Sequence, residues 1–346
     1  VYALALWRNY ILVGGSFSEI NGISRSNLAM IDHDCNVVTA FDVPVNNGVV
    51  RSLLVQPDEK VLIAGGFDTV NGISRNRLAR MVMIGQQGFV DTFNPNADSF
   101  VTTMALLSSG KLLIAGDFDE ISAQPRRGLA LLNPDGSLNS SLQLPLNSTG
   151  FITSMVVQAD GKIVLGGLFS QINGINRDNL AQIRFNFFTQ DYLVTNFTAD
   201  TNGIIHALLA SHNGKLLLTG GFTQASGASR SRVARIKQPT FAREIMRVNA
   251  NTARWKQFGS APLVTTPPQL ELRHNGAVIA GAEAMQQTAG GDWVKSLDSS
   301  LFSDTPVDFI LKGRYRAGKD SGSSAIRYQS TQRVDFSDLI FANGFE

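Results

Sequence analysis

The sequence predicts an all-β repeat protein: a β-propeller of about five four-stranded blades, followed by a C-terminal β-sandwich-like module. Three observations predict it. One phenylalanine-centred motif recurs five times, alternating strand patterns flank each copy, and Gly, Asn, Asp and Pro punctuate the stretches between them.

The motif is plain when its copies are aligned. Residues 11–25 read ILVGGSFSEINGISR, 61–75 VLIAGGFDTVNGISR, 112–126 LLIAGDFDEISAQPR, 163–177 IVLGGLFSQINGINR and 216–230 LLLTGGFTQASGASR. The anchor residues Phe17, Phe67, Phe118, Phe169 and Phe222 are spaced by 50, 51, 51 and 53 residues. Three residues after each motif arginine stands an apolar residue followed by alanine, as in Leu28-Ala29, Leu129-Ala130 and Val233-Ala234. An alternating strand precedes each anchor, for example Val50-Arg51-Ser52-Leu53 or Ile152-Thr153-Ser154-Met155. Turns follow at 56–60 and 160–162, and another lies between Leu132 and Leu138. Each unit therefore holds four short β segments, the content of a propeller blade. Solenoids of paired helices are excluded, because no stretch has a 3.6-residue apolar period with caps.

Within the unit, two features have local reasons. The paired glycines before the anchor suit close backbone approach, where a side chain would not fit. Asn21-Gly22, Asn71-Gly72 and Asn173-Gly174 suit two-residue hairpin turns, which need positive φ at both central positions. The third copy departs, with Ser122-Ala123-Gln124-Pro125 in place of Asn-Gly-Ile-Ser, so a site built on the Asn-Gly turns of every blade would be interrupted there.

These phrases together resemble the bacterial delta-sixty repeat family, over residues 1 to about 238. The resemblance implies β-propellers in large secreted or surface proteins, hence an exported bacterial chain. The chain opens inside a strand pattern at Val1–Leu6, as expected of a mature or trimmed N-terminus. A ring closed at five blades, one completed by the C-terminal region, and one missing N-terminal blades are all compatible with the copies seen.

The propeller is assigned to residues 1–240 and a second module to 241–334. Residues 240–250 fit a last strand for the fifth blade. Beyond them Gln269 to Arg273, Val278-Ile279, Trp293 to Leu297, Val307 to Tyr315 and Ala325 to Gln329 read as strands, with Asn275-Gly276 a hairpin signal. This stretch resembles a β-sandwich-like module that often follows such repeats, and one irregular extra blade is the competing assignment. Residues 335–346 form an apolar tail carrying Phe336, Leu339, Ile340, Phe341 and Phe345. It resembles short tails of secreted gram-negative proteins. Such a tail either folds back on its own module or adds a strand to a neighbouring subunit.

Composition limits function. Charged residues make up 17%, net charge is +2, and the basic residues are not clustered, so nothing favours nucleic acid. No apolar run is long enough for a membrane-spanning helix. Cys35 is the sole cysteine, which removes intramolecular disulfides and thiolate zinc sites; it is expected half-buried at a strand end, sharing a face with His33.

Candidate chemistry is sparse. Arg25, Arg75, Arg126, Arg177 and Arg230 would either gather an anion near the propeller axis or tie loop carbonyls and acids within the fold, and repetition in every blade favours tying. Glu19, Asp68, Asp117, Asp119 and Glu120 lack calcium-loop spacing and are expected to bridge to those arginines or stay solvated. His33, His206, His212 and His274 stand in unlike contexts. Trp7, Trp255 and Trp293 sit in strand patterns and are expected in the core. Asn139, Asn147 and Asn196 head glycosylation sequons. No phosphate-binding loop, dinucleotide fingerprint or nucleophile elbow occurs.

The expectation is therefore a non-enzymatic exported binding or scaffold protein that uses no cofactor and no metal. Its partners would be other protein subunits, in a homo-oligomer or surface array, or carbohydrate. The alternatives are a polysaccharide-acting hydrolase or lyase with an axial propeller site, whose acids meet only in space, or a carbohydrate-binding module.

Overall fold

Alternation in the sequence becomes strands because one residue in two can then be buried against a neighbouring sheet. The computed structural model describes residues 1–147, 149–211, 215–237, 243–248, 252–258, 268–274, 277–288, 293–297, 307–316 and 325–334. The described residues form strands and turns without a helix.

The repeats build five antiparallel sheets among the described residues. The first comprises Ala3–Trp7, Tyr10–Gly14 and Leu28–Ile31, and the second Val50–Val55, Val61–Gly65, Leu78–Ile84 and Gln87–Val90. The third comprises Val101–Leu106, Leu112–Gly116, Leu129–Leu132 and Leu138–Asn139, and the fourth Phe151–Val157, Ile163–Leu168, Leu180–Asn186 and Asp191–Val194. The fifth comprises Ile205–Ala210, Leu216–Gly220 and Val233–Ile236. Each is an up-and-down meander. The three interior sheets have the four strands expected; the first and fifth have three, the first adding a single bridge between Ile31 and Val37.

Apolar faces of consecutive sheets pack in four clusters. One joins Ala5, Leu12 and Met30 to Leu53, Ile63 and Phe67, and the next joins Leu54, Leu62 and Leu78 to Met104, Ile114 and Phe118. A third joins Ala105, Leu113 and Leu131 to Met155, Leu165 and Phe169; the fourth joins Val156, Val164 and Leu180 to Leu208, Leu218 and Phe222. Each anchor phenylalanine thus fills the space toward the preceding sheet, and full burial of such a ring contributes about 1.5–3 kcal/mol. Phe17 is only partly buried, since no sheet precedes it among the described residues.

The repeated glycine two residues before the anchor has a concrete cause. The first strands of the second to fifth sheets carry a register shift at Arg51, Thr102, Thr153 and His206. The bulge pushes a carbonyl inward. A Cβ on Gly65, Gly116, Gly167 or Gly220 would lie 1.9, 2.0, 2.1 and 2.0 Å from the oxygens of Val49, Phe100, Phe151 and Ile204. Only hydrogen fits there. The extra residue is then free to turn sideways, and the Thr102 and Thr153 hydroxyls donate to the carbonyls of Ile152 and Ile205 in the following sheet.

Each motif also folds a small hairpin outside the main sheet, such as Glu19–Ile20 with Ile23–Ser24. The Asn-Gly turns have both residues at positive φ (49° and 74° at Asn71 and Gly72). The third copy keeps this turn without the favourable residues: Ser122 and Ala123 sit at φ 51° and 58°. The sequence interruption is therefore chemical and leaves the backbone path unchanged.

Past the repeats, Arg243–Val248 pairs with Thr252–Phe258 rather than completing the fifth sheet, which corrects the strand expected at 240–250. Two further four-stranded sheets follow. One orders Arg243–Val248, Thr252–Phe258, Trp293–Ser296 and Gln286–Gln287; the other orders Ala277–Ala284, Gln269–His274, Val307–Arg316 and Ala325–Val334. Neither is a four-strand meander in chain order. Asn275-Gly276 and the tail with Phe336, Leu339, Ile340, Phe341 and Phe345 lie outside the described residues.

Two further expectations are corrected. Cys35 is exposed at φ 64° in the turn 32–36, held by bonds from Asp34 and Asn36 N–H to the Asp32 carboxylate, and His33 lies in the same turn rather than on a strand face. Trp7 and Trp255 are core residues, whereas Trp293, opposite Trp255 on the adjacent strand, is only partly buried.

Candidate binding surface

The motif arginines fold back on the chain. Nη1 of each donates to the carbonyl of the residue before it: Ser24, Ser74, Pro125, Asn176 and Ser229, at 2.6–2.7 Å. In three repeats Nη2 also reaches the outer part of the same sheet, from Arg25 to Thr39 (3.1 Å), from Arg75 to Asp91 (2.7 Å) and from Arg177 to Thr195 (2.8 Å). A planar group with several diverging N–H donors can fasten two carbonyls at once, which an ammonium on a flexible stem does poorly. Arg230, in the fifth repeat, is exposed.

The motif acids choose other partners. Asp68 pairs with Arg77 and Asp119 with Arg127 (2.8 Å), each just past the motif arginine, while Asp42 is the acid beside Arg25 at 3.8 Å. The expected bridges from these acids to the repeated arginine are thus displaced by one or two positions. The register explains it: the hairpin carries the motif arginine away toward the outer strand and brings the following residues back over the anchor. Asp98 accepts from the N–H groups of Asp119 and Glu120 (3.0 Å each). Burial, then the neighbouring Asp119 and Asp98 charges, raise the Asp117 carboxyl above its ordinary value. No group of three or more metal-binding side chains meets among the described residues.

A second periodic position escaped the sequence reading. Two residues after the motif arginine, Asn27, Arg77, Gly128, Asn179 and Arg232 all have positive φ, from 64° to 71°. Asn27 Oδ1 accepts from the anchor N–H of Phe17 (3.0 Å) while its Nδ2 donates to Val45 O (2.7 Å), and Asn179 does the same with Phe169 (3.1 Å) and Thr201 (2.7 Å). Asparagine tolerates this backbone region. The alternation of Asn, Arg and Gly hides the position from a search for one residue type.

The histidines stay apart: His33 is in the first outer turn, His206 is exposed at the fifth-sheet bulge, and His212 and the side chain of His274 lie outside the described residues. Asn139 Nδ2 donates to Asn133 Oδ1 in a local turn (2.8 Å), while Asn147 Oδ1 accepts from Ser170 N–H beyond the anchor Phe169 (3.1 Å); Asn196 is exposed.

The feature that breaks the repeat chemistry lies on the fourth sheet. Its outer hairpin turns through Phe187, Phe188, Thr189 and Gln190, where the third sheet uses Pro134-Asp135-Gly136. Phe187 is 78% exposed and Phe188 99%. Asn186 Oδ1 accepts from Phe188 N–H (3.1 Å), and Gln190 Nε2 donates to Phe187 O (2.7 Å), so the aromatic tip is held by its own turn. Phe185 meets Phe187 and Tyr192 edge-on at 5.2 and 5.3 Å between centroids. Beside them opens a cleft of about 590 Å³, lined also by Ser108, Lys111 and Gln158. Burial raises the Tyr192 hydroxyl pKa, keeping it neutral. The run Phe185-Asn186-Phe187-Phe188 was the readable signal, visible only by aligning the outer turns.

The described residues form an all-β fold of stacked meanders repeated along the chain, propeller-like in its repeats. Four stretches, residues 56–81, 107–142, 158–184 and 212–238, match the family described as a domain of unknown function with β-propeller fold. They fall on four of the five repeats. No curated protein matches the sequence. Among solved structures, the extracellular domain of a hybrid two-component system from B. thetaiotaomicron aligns with 97% of this chain and 55% of its own, at 9% identity and TM-score 0.31. This chain thus spans about half the length of that relative. Among the described residues no helix is long and apolar enough to cross a membrane.

Proposed function

We propose that the chain is a non-enzymatic, exported bacterial binding scaffold, in which the stacked repeats form a rigid platform that presents surfaces to other subunits. The observation that carries this reading is the use of the repeated polar residues: the five motif arginines donate to backbone carbonyls within their own repeats. Residues used this way hold a shape and leave recognition to positions that differ between repeats. Export rests on the resemblance of the repeats to secreted and surface proteins. Incubating the purified chain with neutral and acidic polysaccharides is expected to release no reducing or unsaturated ends. Turnover that depends on Asp117 or Asp119 would establish a hydrolase or lyase instead.

The fourth-sheet cleft favours a second reading, carbohydrate binding. Sugars present apolar C–H faces and a rim of hydroxyls; Phe185, Phe187 and Tyr192 offer aromatic surface, while Ser108, Lys111 and Gln158 supply polar groups. Phe187→Ala is expected to lower retention on a glycan array at least about tenfold, a change of roughly 1.4 kcal/mol. Equal retention by the variant would remove this cleft from the ligand's path.

A further inference from the structure

The turn joining the first two strands of a sheet ends in lysine, and in the third sheet that lysine has lost its partner. The turns 56–60, 107–111 and 158–162 share one backbone path. In each, the first N–H donates to the last carbonyl: Gln56 to Lys60 (2.8 Å), Leu107 to Lys111 (2.9 Å) and Gln158 to Lys162 (2.8 Å). Their fourth residues, Glu59, Gly110 and Gly161, have φ of 65°, 77° and 77°. In the second and fourth sheets the third residue of the turn is an aspartate that holds the lysine, Asp58 on Lys60 and Asp160 on Lys162, each at 2.7 Å. The third sheet has Ser109 there. Lys111 keeps the position without the counter-charge, and no carboxylate pairs with it among the described residues.

That lysine borders the aromatic cleft. Among the described residues lining the space, Lys111 is the one charged side chain, and it is partly buried. The cleft opens between the third and fourth sheets, and each of these packs on a described sheet at either side, so neither end of the repeat array creates the opening. Gln158, fully buried, is fixed in the lining: its Oε1 accepts from Gln182 Nε2 (2.9 Å), and Gln182 Oε1 accepts from Thr195 Oγ1 (3.0 Å). Gln287 and Thr288, from the C-terminal region, add an amide and a hydroxyl. The volume of about 590 Å³ falls within the roughly 300–1,000 Å³ of small-molecule sites. An ammonium flanked by apolar rings instead of bulk water attracts an anion more strongly than one in open solvent.

We propose that the cleft binds an acidic saccharide, a sugar bearing a carboxylate or sulfate that meets Lys111 while an apolar ring face lies against Phe187. This deepens the carbohydrate reading of the cleft, on which it rests, by naming the class of sugar. The substitution at Ser109 is what makes the site: it leaves the lysine of a structural turn free to serve a ligand, as charge-assisted hydrogen bonds to an anion require.

An array of uronate, sulfated and neutral oligosaccharides, probed with the full chain, tests it. Acidic glycans are expected to be retained about tenfold more tightly than neutral ones of the same backbone, with the preference shrinking as salt is raised. Uronate and sulfated spots separate the two sources of charge. Lys111→Gln is expected to lower retention of acidic glycans about tenfold and leave neutral ones unchanged, and Lys111→Arg to keep the preference. Ser109→Asp, which recreates the ion pair of the sister turns, is expected to act like Lys111→Gln with unchanged circular dichroism. Lys60→Gln, in the paired turn of the second sheet, should bind as the natural chain does. Equal retention of acidic and neutral glycans, or a preference that survives both Lys111→Gln and Ser109→Asp, would overturn the acidic specificity while leaving Phe187-dependent carbohydrate binding in place. Inorganic sulfate that competes as well as a sulfated glycan would show an anion site without a sugar and overturn the proposal. A natural chain that retains no oligosaccharide would remove both the proposal and the reading beneath it.

Discussion

Leu53 in the second sheet and Leu4 in the first occupy one register position, as do Phe67 and Phe17. The first of each pair is fully buried and the second is not. Residue type does not account for the difference between Phe67 and Phe17 or between Leu53 and Leu4, since it is shared. What differs is the sheet in front. Burial in this molecule is thus a property of neighbouring pairs of repeats, and a repeat sequence specifies two half-interfaces rather than a core of its own.

The comparison can be broken most forcefully at the anchors. Phe67→Ala or Phe118→Ala is expected to cost about 3–5 kcal/mol in urea denaturation, whereas Phe17→Ala should cost less than roughly half of that. Equal losses would mean that Phe17 is as enclosed as its counterparts. Next comes the glycine opposite the bulge. Gly116→Ala forces a methyl group onto the Phe100 carbonyl and is expected to cost about 1–3 kcal/mol by the same assay. Gly15→Ala meets only Phe17 and Val1 atoms at 3.0 Å and should cost less.

A smaller effect of opposite sign is expected in the third hairpin. Ala123→Gly relieves a left-handed alanine and should stabilise by about 1 kcal/mol, read as a rise in thermal midpoint. Gly72→Ala in the second repeat should shift the midpoint the other way. The smallest effect is pH-dependent. Because the Asp117 carboxyl is raised in the fold, its ionised form costs stability at neutral pH. Asp117→Asn should therefore be slightly more stable than the natural chain at pH 7. The gain should fade as pH falls through the raised pKa and vanish once the carboxyl is protonated in the folded and unfolded states alike.

Much of this architecture was readable from the chain itself. The anchor spacing located every sheet of the repeat region, since each copy carries the same alternating strands, and Asn71-Gly72 announced its hairpin because few other residues accept both dihedral angles. The sequence could not show that the ends hold three strands, because strand pairing depends on what lies alongside. It misplaced residues 240–250 for a similar reason: the strand was recognisable, but its partner, Thr252–Phe258, was not. Cys35 was misread because its left-handed turn contains no glycine. The fourth-sheet aromatic tip went unnoticed because phenylalanine reads as core in a strand pattern, and only its place in the turn leaves Phe188 in water.

The stacking of each sheet on its immediate neighbours also has a kinetic consequence. Among the described residues the first and fifth sheets each share a hydrophobic cluster with one neighbour and the interior sheets with two, so thermal opening should begin at the first or fifth sheet and advance inward, one unit per step. A protease acting during gentle warming would then harvest fragments differing by one anchor interval, 50 to 53 residues, giving a ladder on a gel instead of a single cleavage.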